Sequence, residues 1–189
     1  GYEIRNGKMV NAETGAPFTI ELVDNSPTLE RVALPYQQSL ARIGVDMTLR
    51  IIDTSQYINR LRNRDFEMTV LVFGQSLSPG NEQLEYWGSE AADRPSSQNY
   101  MGIQDPAVDA LIQKIILAED REDLVAATKA LDRVLLHNHF MVPQYYSNTL
   151  RTARWDRFGH PDNIPPYTHG FPTIWWWDED KASKVGSPS

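Results

Sequence analysis

The sequence of 189 residues contains no cysteine. This absence excludes disulfide bonds, zinc sites built on thiolates and a cysteine nucleophile. The sequence also lacks an apolar run of about 18 residues, the length that a membrane-spanning helix requires. It has no basic excess, because 18 Lys and Arg residues stand against 25 Asp and Glu residues, for a net charge of −7. A nucleic-acid partner held by phosphate contacts is therefore not expected.

Motifs for nucleotides and metals are missing as well. There is no G-x-x-x-x-G-K and no G-x-G-x-x-G sequence, which excludes the common phosphate-binding loops. His137 and His139 are two residues apart, so they point to different faces of a helix and cannot hold one metal ion together. His160 and His169 have no suitably spaced carboxylate. We expect neither a cofactor nor a metal site.

What the sequence does contain is an alternation of strand and helix patterns. Apolar and polar residues alternate over residues 18–22 and 45–51, and residues 68–73 are apolar on both faces, as in a central strand. Residues 27–43 have helical spacing with Pro35 inside, where a kink or break is expected. A second helix begins at Asp53. The pattern predicts an α/β fold whose mixed, mostly parallel sheet carries helices on both faces. The 41% hydrophobic content is sufficient for a core.

The second half of the chain has helical, extended and irregular segments. The predicted elements are helices over residues 105–116 and 120–135, an edge strand over 141–146 interrupted by Pro143, a packed aromatic wrap over 155–177, and a loose polar tail over 178–189.

The loop after Phe73 is the first candidate for a ligand site, because ligands of open α/β sheets bind at the carboxyl ends of strands. Its glycines and proline are equally compatible with a purely conformational turn. The candidate ligand-binding residues in and after this loop are Phe73, Gly74, Gln75, Ser76, Leu77, Ser78, Pro79, Gly80, Asn81, Glu82, Tyr86, Trp87 and Tyr100.

Two alternative functions start from other features. Residues 74–77 match the first part of a G-x-S-x-G nucleophile elbow, although Ser78 replaces the final glycine. A serine hydrolase would use Ser76 with His137 or His139 as base. Residues 175–177 are three consecutive tryptophans, which favour sealing of the core but could also form a sugar-stacking platform in a carbohydrate-binding module.

Several segments resemble the C-terminal lobe of the periplasmic peptide-binding receptors of bacterial ABC importers, the dipeptide, oligopeptide and nickel solute-binding family. They follow the family's order and are residues 40–46, 56–68, 105–112 and 142–143. Residues 57–68 are similar to its Y-x-x-R-x-x-x-x-D-F-D/E-M stretch, with Tyr57, Arg60 and residues 65–68 at the specified positions. Residues 73–83 and 171–177 resemble the branch tied to uptake of microcin C-like peptides.

The resemblance implies one lobe, residues 1–177, of a type II periplasmic-binding-protein fold without enzymatic activity. The implied partners are a peptide ligand, a larger N-terminal lobe of the same receptor and a membrane permease, with no nucleic acid and no direct membrane insertion. Gly1 and Tyr2 resemble the end of the alanine-rich helix that precedes this lobe, so we expect a truncated two-lobed receptor of the bacterial periplasm.

One departure from the family concerns charge. Better-known peptide binders of the family carry an aspartate in the loop that corresponds to residues 74–82, where it pairs with the ammonium group of the peptide. Here residues 75–81 are neutral and Glu82 is the only acid. The resemblance leaves open whether Glu82, Asn81 or another group binds the ligand terminus.

Overall fold

The computed structural model describes residues 1–147, 149, 151–164 and 170–185. The chain forms two compact units. The first consists of Gly1–Phe73 and Asn81–Gln113, and the second contains Gly74–Gly80 and the described residues from Lys114 onward. None of the helices in these described ranges combines the length and apolar composition needed to cross a bilayer.

An antiparallel hairpin begins the first unit. Strands β1 (Tyr2–Arg5) and β2 (Lys8–Asn11) are joined by Asn6 and Gly7, with φ values of 51° and 77°. Both values lie in the left-handed region that a two-residue hairpin turn requires, and Asn-Gly is the usual sequence signal for it. The patterns considered above did not include this signal, so the hairpin was missed.

A three-stranded parallel sheet follows. It consists of β3 (Thr19–Asp24), β4 (Asp46–Ile51) and β5 (Met68–Thr69) in the order β4-β3-β5. The prediction that residues 68–73 form the central strand is wrong, because β3 is central and β5 is a short edge strand. The exposed fractions of the side chains agree with this order. Leu22, Val23 and Asp24, three successive residues of β3, are all buried, whereas Val72, beyond the end of β5, is 93% exposed.

Helices connect the strands as the sequence predicts. A short 3₁₀ turn (Pro27–Leu29) leads into α1 (Glu30–Arg42), which continues through Pro35 without a break. Helix α2 (Thr54–Asn63) begins after Asp53, whose carboxylate accepts hydrogen bonds from the backbone N–H groups of Ser55 and Gln56. Leu22, Ala33 and Met47 form the core between α1 and the sheet.

The remaining elements are α3 (Glu82–Trp87), α4 (Ser89–Ala92), α5 (Pro106–Ile116), α6 (Arg121–His137), β6 (Phe158–Gly159), β7 (Trp176–Trp177) and α7 (Glu179–Val185). Strands β6 and β7 pair antiparallel.

Three expectations for the second half of the chain differ from the structure. Residues 141–146 form no strand, and Tyr145 and Tyr146 are each 86% exposed; Pro143 has no N–H to offer a neighbouring strand. The aromatic segment over residues 155–177 was expected to be packed, but Trp155 is 66% exposed. The expected loose tail over residues 178–189 contains α7, whose first turn is capped by a hydrogen bond from the Lys181 N–H to the Asp178 carboxylate at 2.9 Å.

Candidate ligand-binding site

The carboxyl edge of the parallel sheet brings polar groups of the first unit together. Strand β3 ends at Asp24, which is 6% exposed and whose Oδ1 atom accepts a hydrogen bond from the Ser26 N–H at 2.7 Å. On the neighbouring strand, Thr69 lies opposite Val23. This is the edge at which parallel α/β sheets bind ligands.

Tyr57 of α2 joins this edge. Its hydroxyl lies 3.0 Å from Thr69 Oγ1 and donates to the Val70 carbonyl oxygen at 3.2 Å. Burial raises the pKa of Tyr57 and outweighs the hydrogen bond with Thr69, which lowers it, while electrostatic repulsion from Asp24 and Tyr100 adds a smaller increase. The phenol therefore stays neutral and remains a hydrogen-bond donor at physiological pH.

Three of the predicted aromatic residues form one cluster in the first unit. The Phe73 ring lies 4.7 Å from the Trp87 ring and 5.3 Å from the Tyr86 ring, centroid to centroid. Trp87 is only 4% exposed, whereas Phe73 and Tyr86 are half-buried. Trp87 thus belongs to the core and supports the two rings that retain exposed surface.

The polar residues at the start of α3 help to hold this cluster. Gln83 is buried; its Nε2 atom donates to Glu82 Oε1 at 3.1 Å, and its Oε1 atom accepts from Trp87 Nε1 at 3.0 Å. Asn81 precedes the helix and is exposed, without a side-chain hydrogen bond that caps it. Glu82 therefore helps to orient Trp87 indirectly, because it accepts a hydrogen bond from the Gln83 side chain that binds the Trp87 indole.

Tyr100 comes directly after Asn99 in sequence, and Asn99 is the centre of a hydrogen-bond network that the sequence patterns did not predict. Asn99, with 0% exposure, donates through Nδ2 to the carbonyl oxygens of Gly88 and Ile103 and accepts from the Ile103 N–H. Arg64 donates to the Asn99 carbonyl oxygen at 3.0 Å. A run of charged residues at a helix end, such as Arg60, Arg62 and Arg64, usually faces solvent, but the Arg64 side chain is half-buried in this network.

The predicted loop residues Gly74–Gly80 lie in the second unit. Residues 74–78 are exposed, and the Ser78 N–H donates to Ser76 Oγ at 3.1 Å. The Leu77 carbonyl oxygen accepts a hydrogen bond from the Arg121 side chain. Among the described residues, no histidine contacts Ser76 through a hydrogen bond, so the nucleophile arrangement considered for Ser76 is not assembled.

The tryptophan cluster of the second unit has one half-buried and two exposed members. Trp175 packs against Phe171, with ring centroids 5.0 Å apart, and the Arg154 guanidinium lies 4.2 Å from its ring centroid. Trp176 and Trp177 are 51% and 55% exposed. Within the described ranges, no group of three His, Asp or Glu side chains is placed to hold a metal ion.

Residues 1–94 match the family described as bacterial extracellular solute-binding proteins, family 5 Middle.

Two curated relatives match almost the whole chain. An uncharacterized protein, y4wM, of Sinorhizobium fredii is 55% identical over 176 residues, which are 93% of this chain and 26% of that protein. The probable peptide-binding protein YejA of Agrobacterium fabrum is 48% identical over 176 residues, 93% of this chain and 29% of that protein. The chain thus spans little more than a quarter of the length of these relatives.

A solved structure shares the fold. The oligopeptide-binding protein AppA from Bacillus subtilis, in complex with a nonapeptide, superposes with a TM-score of 0.63 at 20% identity, over 74% of this chain and 28% of that one. The predicted α/β fold class, a partial lobe of a type II periplasmic binding protein, is confirmed.

Proposed function

Since this chain belongs to family 5 of the bacterial extracellular solute-binding proteins, we propose that it supplies one wall of the ligand cleft in a peptide receptor of an ABC importer. The observation that carries the proposal is the concentration of polar groups at the carboxyl edge of the parallel sheet, where Tyr57 is hydrogen-bonded to Thr69 and Asp24 ends the central strand. The name of the 48% identical relative, a probable peptide-binding protein, supports a peptide as ligand.

The first unit offers two kinds of contact. Phe73 and Tyr86 provide half-buried rings on which an extended peptide packs, and Asn81, Glu82 and Tyr100 are polar residues of the same unit. The predicted loop residues Gly74–Gly80 belong to the second unit and are a separate candidate for backbone contacts with the peptide. Extended peptides are recognised mainly through such backbone hydrogen bonds, with side-chain pockets adding selectivity.

We propose further that residues 1–177 are one lobe of a two-lobed receptor. The length of the curated relatives, of which this chain spans 26% and 29%, supports a longer polypeptide. Closure of two lobes desolvates the ligand and generates most of the affinity. The receptor would deliver the peptide to a membrane permease, and the extracellular family agrees with a periplasmic location.

No catalysis is expected from this site. Ser76 Oγ accepts a backbone hydrogen bond within its own loop, and neither the family nor the relatives support the serine hydrolase or the carbohydrate-binding module as alternatives.

Calorimetry tests the proposal by comparing the full-length receptor with the isolated chain, using a mixture of short peptides. We expect micromolar or tighter binding by the full-length protein and binding at least about 100-fold weaker by the isolated chain. Equal, micromolar binding by the isolated chain would contradict the half-site. Absence of peptide binding by the full-length protein would contradict the function itself.

A further inference from the structure

The first residue of α6 is joined to the loop after Phe73, the candidate contact segment of the second unit. Arg121 Nη1 donates a hydrogen bond to the Leu77 carbonyl oxygen, 44 residues earlier in the chain, and both residues belong to that unit. We propose that Arg121 is a positioning residue for peptide binding, which fixes the backbone of Gly74–Gly80 without contacting the ligand. This inference rests on the proposed peptide-binding function and names a group that orders one of its candidate contact segments.

The loop has little regular structure to hold it. Residues 74–78 are exposed, and residues 74–80 contain neither helix nor strand. One turn is local, because the Ser78 N–H donates to Ser76 Oγ at 3.1 Å and so curves the chain around Leu77. A segment of this kind loses backbone entropy when it binds a partner. Contacts that order it beforehand therefore increase the affinity for the ligand.

The hydrogen bond from Arg121 is suited to ordering such a loop. Its donor is a guanidinium group, and a hydrogen bond from a charged donor is stronger than one between neutral groups. Its acceptor is a main-chain oxygen, so the bond constrains the path of the backbone rather than the position of one side chain. The restriction therefore extends from Leu77 to the residues on both sides of it.

Helix α6 gives Arg121 a fixed support. The helix is 17 residues long and buries three of its apolar side chains. It begins at Asp120, whose carboxylate accepts the Asp123 N–H at 2.8 Å and thus caps the first turn. A functional side chain on a packed helix is placed more precisely than one on a loop. Arg121 thereby joins an irregular segment to a regular one.

The helix dipole does not account for the charge of Arg121. The amino-terminal end of a helix carries a partial positive charge, which favours acids and disfavours cations. Glu122 and Asp123 in the same turn follow this rule, whereas an arginine at the first position runs against it. The hydrogen bond to the Leu77 carbonyl oxygen supplies a reason for a cation at this position.

The test uses the full-length receptor and two mixtures of short peptides, one with free and one with amidated carboxyl termini. The variants are Arg121→Met, which removes the donors, and Arg121→Lys, which retains a charged donor. The matched control is Arg133→Met, which removes an exposed arginine from the same helix. Calorimetry measures the affinity, amide hydrogen exchange measures the order of residues 74–80 in the unliganded protein, and thermal unfolding checks that the fold is retained.

We expect Arg121→Met to weaken the binding of both mixtures to the same extent, by about 5- to 20-fold. Hydrogen exchange over residues 74–80 should become faster, while the unfolding temperature stays close to that of the wild type because Arg121 is exposed. Arg121→Lys should recover part of the affinity. Arg133→Met should leave both the affinity and the exchange of the loop unchanged.

Unchanged binding in Arg121→Met, or an equal loss in Arg133→Met, overturns the inference while the peptide-binding function stands. Weaker binding without faster exchange over residues 74–80 also overturns it, because the loop would then not be the segment affected. A loss confined to peptides with free carboxyl termini would show that Arg121 contacts the ligand directly, which contradicts a positioning role. Failure of the wild type to bind either mixture contradicts the proposed function itself.

Discussion

The Nε atom of Arg64 donates a hydrogen bond to the backbone carbonyl oxygen of Asn99 across 35 residues of sequence, at 3.0 Å. The same guanidinium donates through Nη2 to the Ala91 carbonyl oxygen at 3.1 Å and to Ser97 Oγ at 2.9 Å. One side chain thereby connects the end of α2 to the segment that carries Tyr100. The polar network fixes a loop that has little regular secondary structure of its own.

We predict that Arg64→Met lowers the free energy of unfolding by about 2–3 kcal/mol, because three part-buried acceptors lose a charged donor. Chemical denaturation followed by tryptophan fluorescence measures the change. Arg62→Met is the matched control, since Arg62 lies on the same helix end but is exposed, and it should change stability by less than about 0.5 kcal/mol. Equal effects of the two substitutions would contradict a structural role for the network.

Gly44 provides a second prediction, at the end of the connection into β4. Its φ is +81°, and a Cβ atom placed there would lie 2.6 Å from the Met9 backbone nitrogen. The Gly44 carbonyl oxygen accepts the Met9 N–H at 2.8 Å. Gly44→Ala should therefore destabilise the chain by more than about 1 kcal/mol, both through backbone strain and by displacing the β1–β2 hairpin.

Gly74→Ala is the control for this measurement, because no heavy atom lies within 4 Å of the position its Cβ would take. Denaturant midpoints of the two variants are to be compared with that of the wild type. A midpoint for Gly44→Ala that equals the Gly74→Ala value would show that the hairpin is not held against this glycine.

Local patterns predicted β3, β4, α1 and α2 well, because each of these elements depends on neighbours in sequence. The alternation over residues 45–51 and the capping position of Asp53 both correspond to observed elements. The loop after Phe73 was chosen from the general geometry of parallel sheets alone.

The burial of Asp24 and the partners of Arg64 could not be predicted in the same way. Local patterns assign an acid such as Asp24 to the surface, whereas Asp24 is only 6% exposed at the end of β3. Arg64 resembles other charged residues at a helix end, and its partners lie 27 to 35 residues further along the chain. Such tertiary contacts leave no periodic signal in a single sequence.

The ion pair between Arg60 and Glu21 gives a prediction that depends on pH. The hydrogen bond from Arg60, at 2.9 Å, is the main cause that lowers the pKa of Glu21 below its ordinary value. Because the folded-state pKa is the lower one, the pair stabilises the fold above roughly pH 4.5, and this contribution is lost as the pH falls through the folded-state pKa.

Arg60→Met should raise the pKa of Glu21 toward its ordinary value, which carbon-detected NMR titration of the Glu21 carboxyl group measures. The stability difference from wild type should shrink as the pH is lowered. Arg50→Met is the comparison, and its longer 3.4 Å contact and more exposed side chain predict a smaller shift. An unchanged pKa of Glu21 in Arg60→Met would contradict the assignment of the shift to the Arg60 hydrogen bond.

Tyr57 gives the corresponding prediction at alkaline pH. Burial raises the pKa of Tyr57 above its ordinary value of 10.0, so the fold favours the neutral phenol. Its contribution to stability is fully present below about pH 10 and is lost as the pH rises through the folded-state pKa. Ultraviolet titration should show one of the eight tyrosines ionising late, and Tyr57→Phe should remove that late component.

Tyr57→Phe should also lower the free energy of unfolding at neutral pH by about 1–2 kcal/mol, because the Thr69 hydroxyl and the Val70 carbonyl group lose their partner. Tyr146→Phe is the control, since Tyr146 is 86% exposed and its replacement should leave the late component in place. If the late component persists in Tyr57→Phe, the hydroxyl at the carboxyl edge of the sheet is not the buried one.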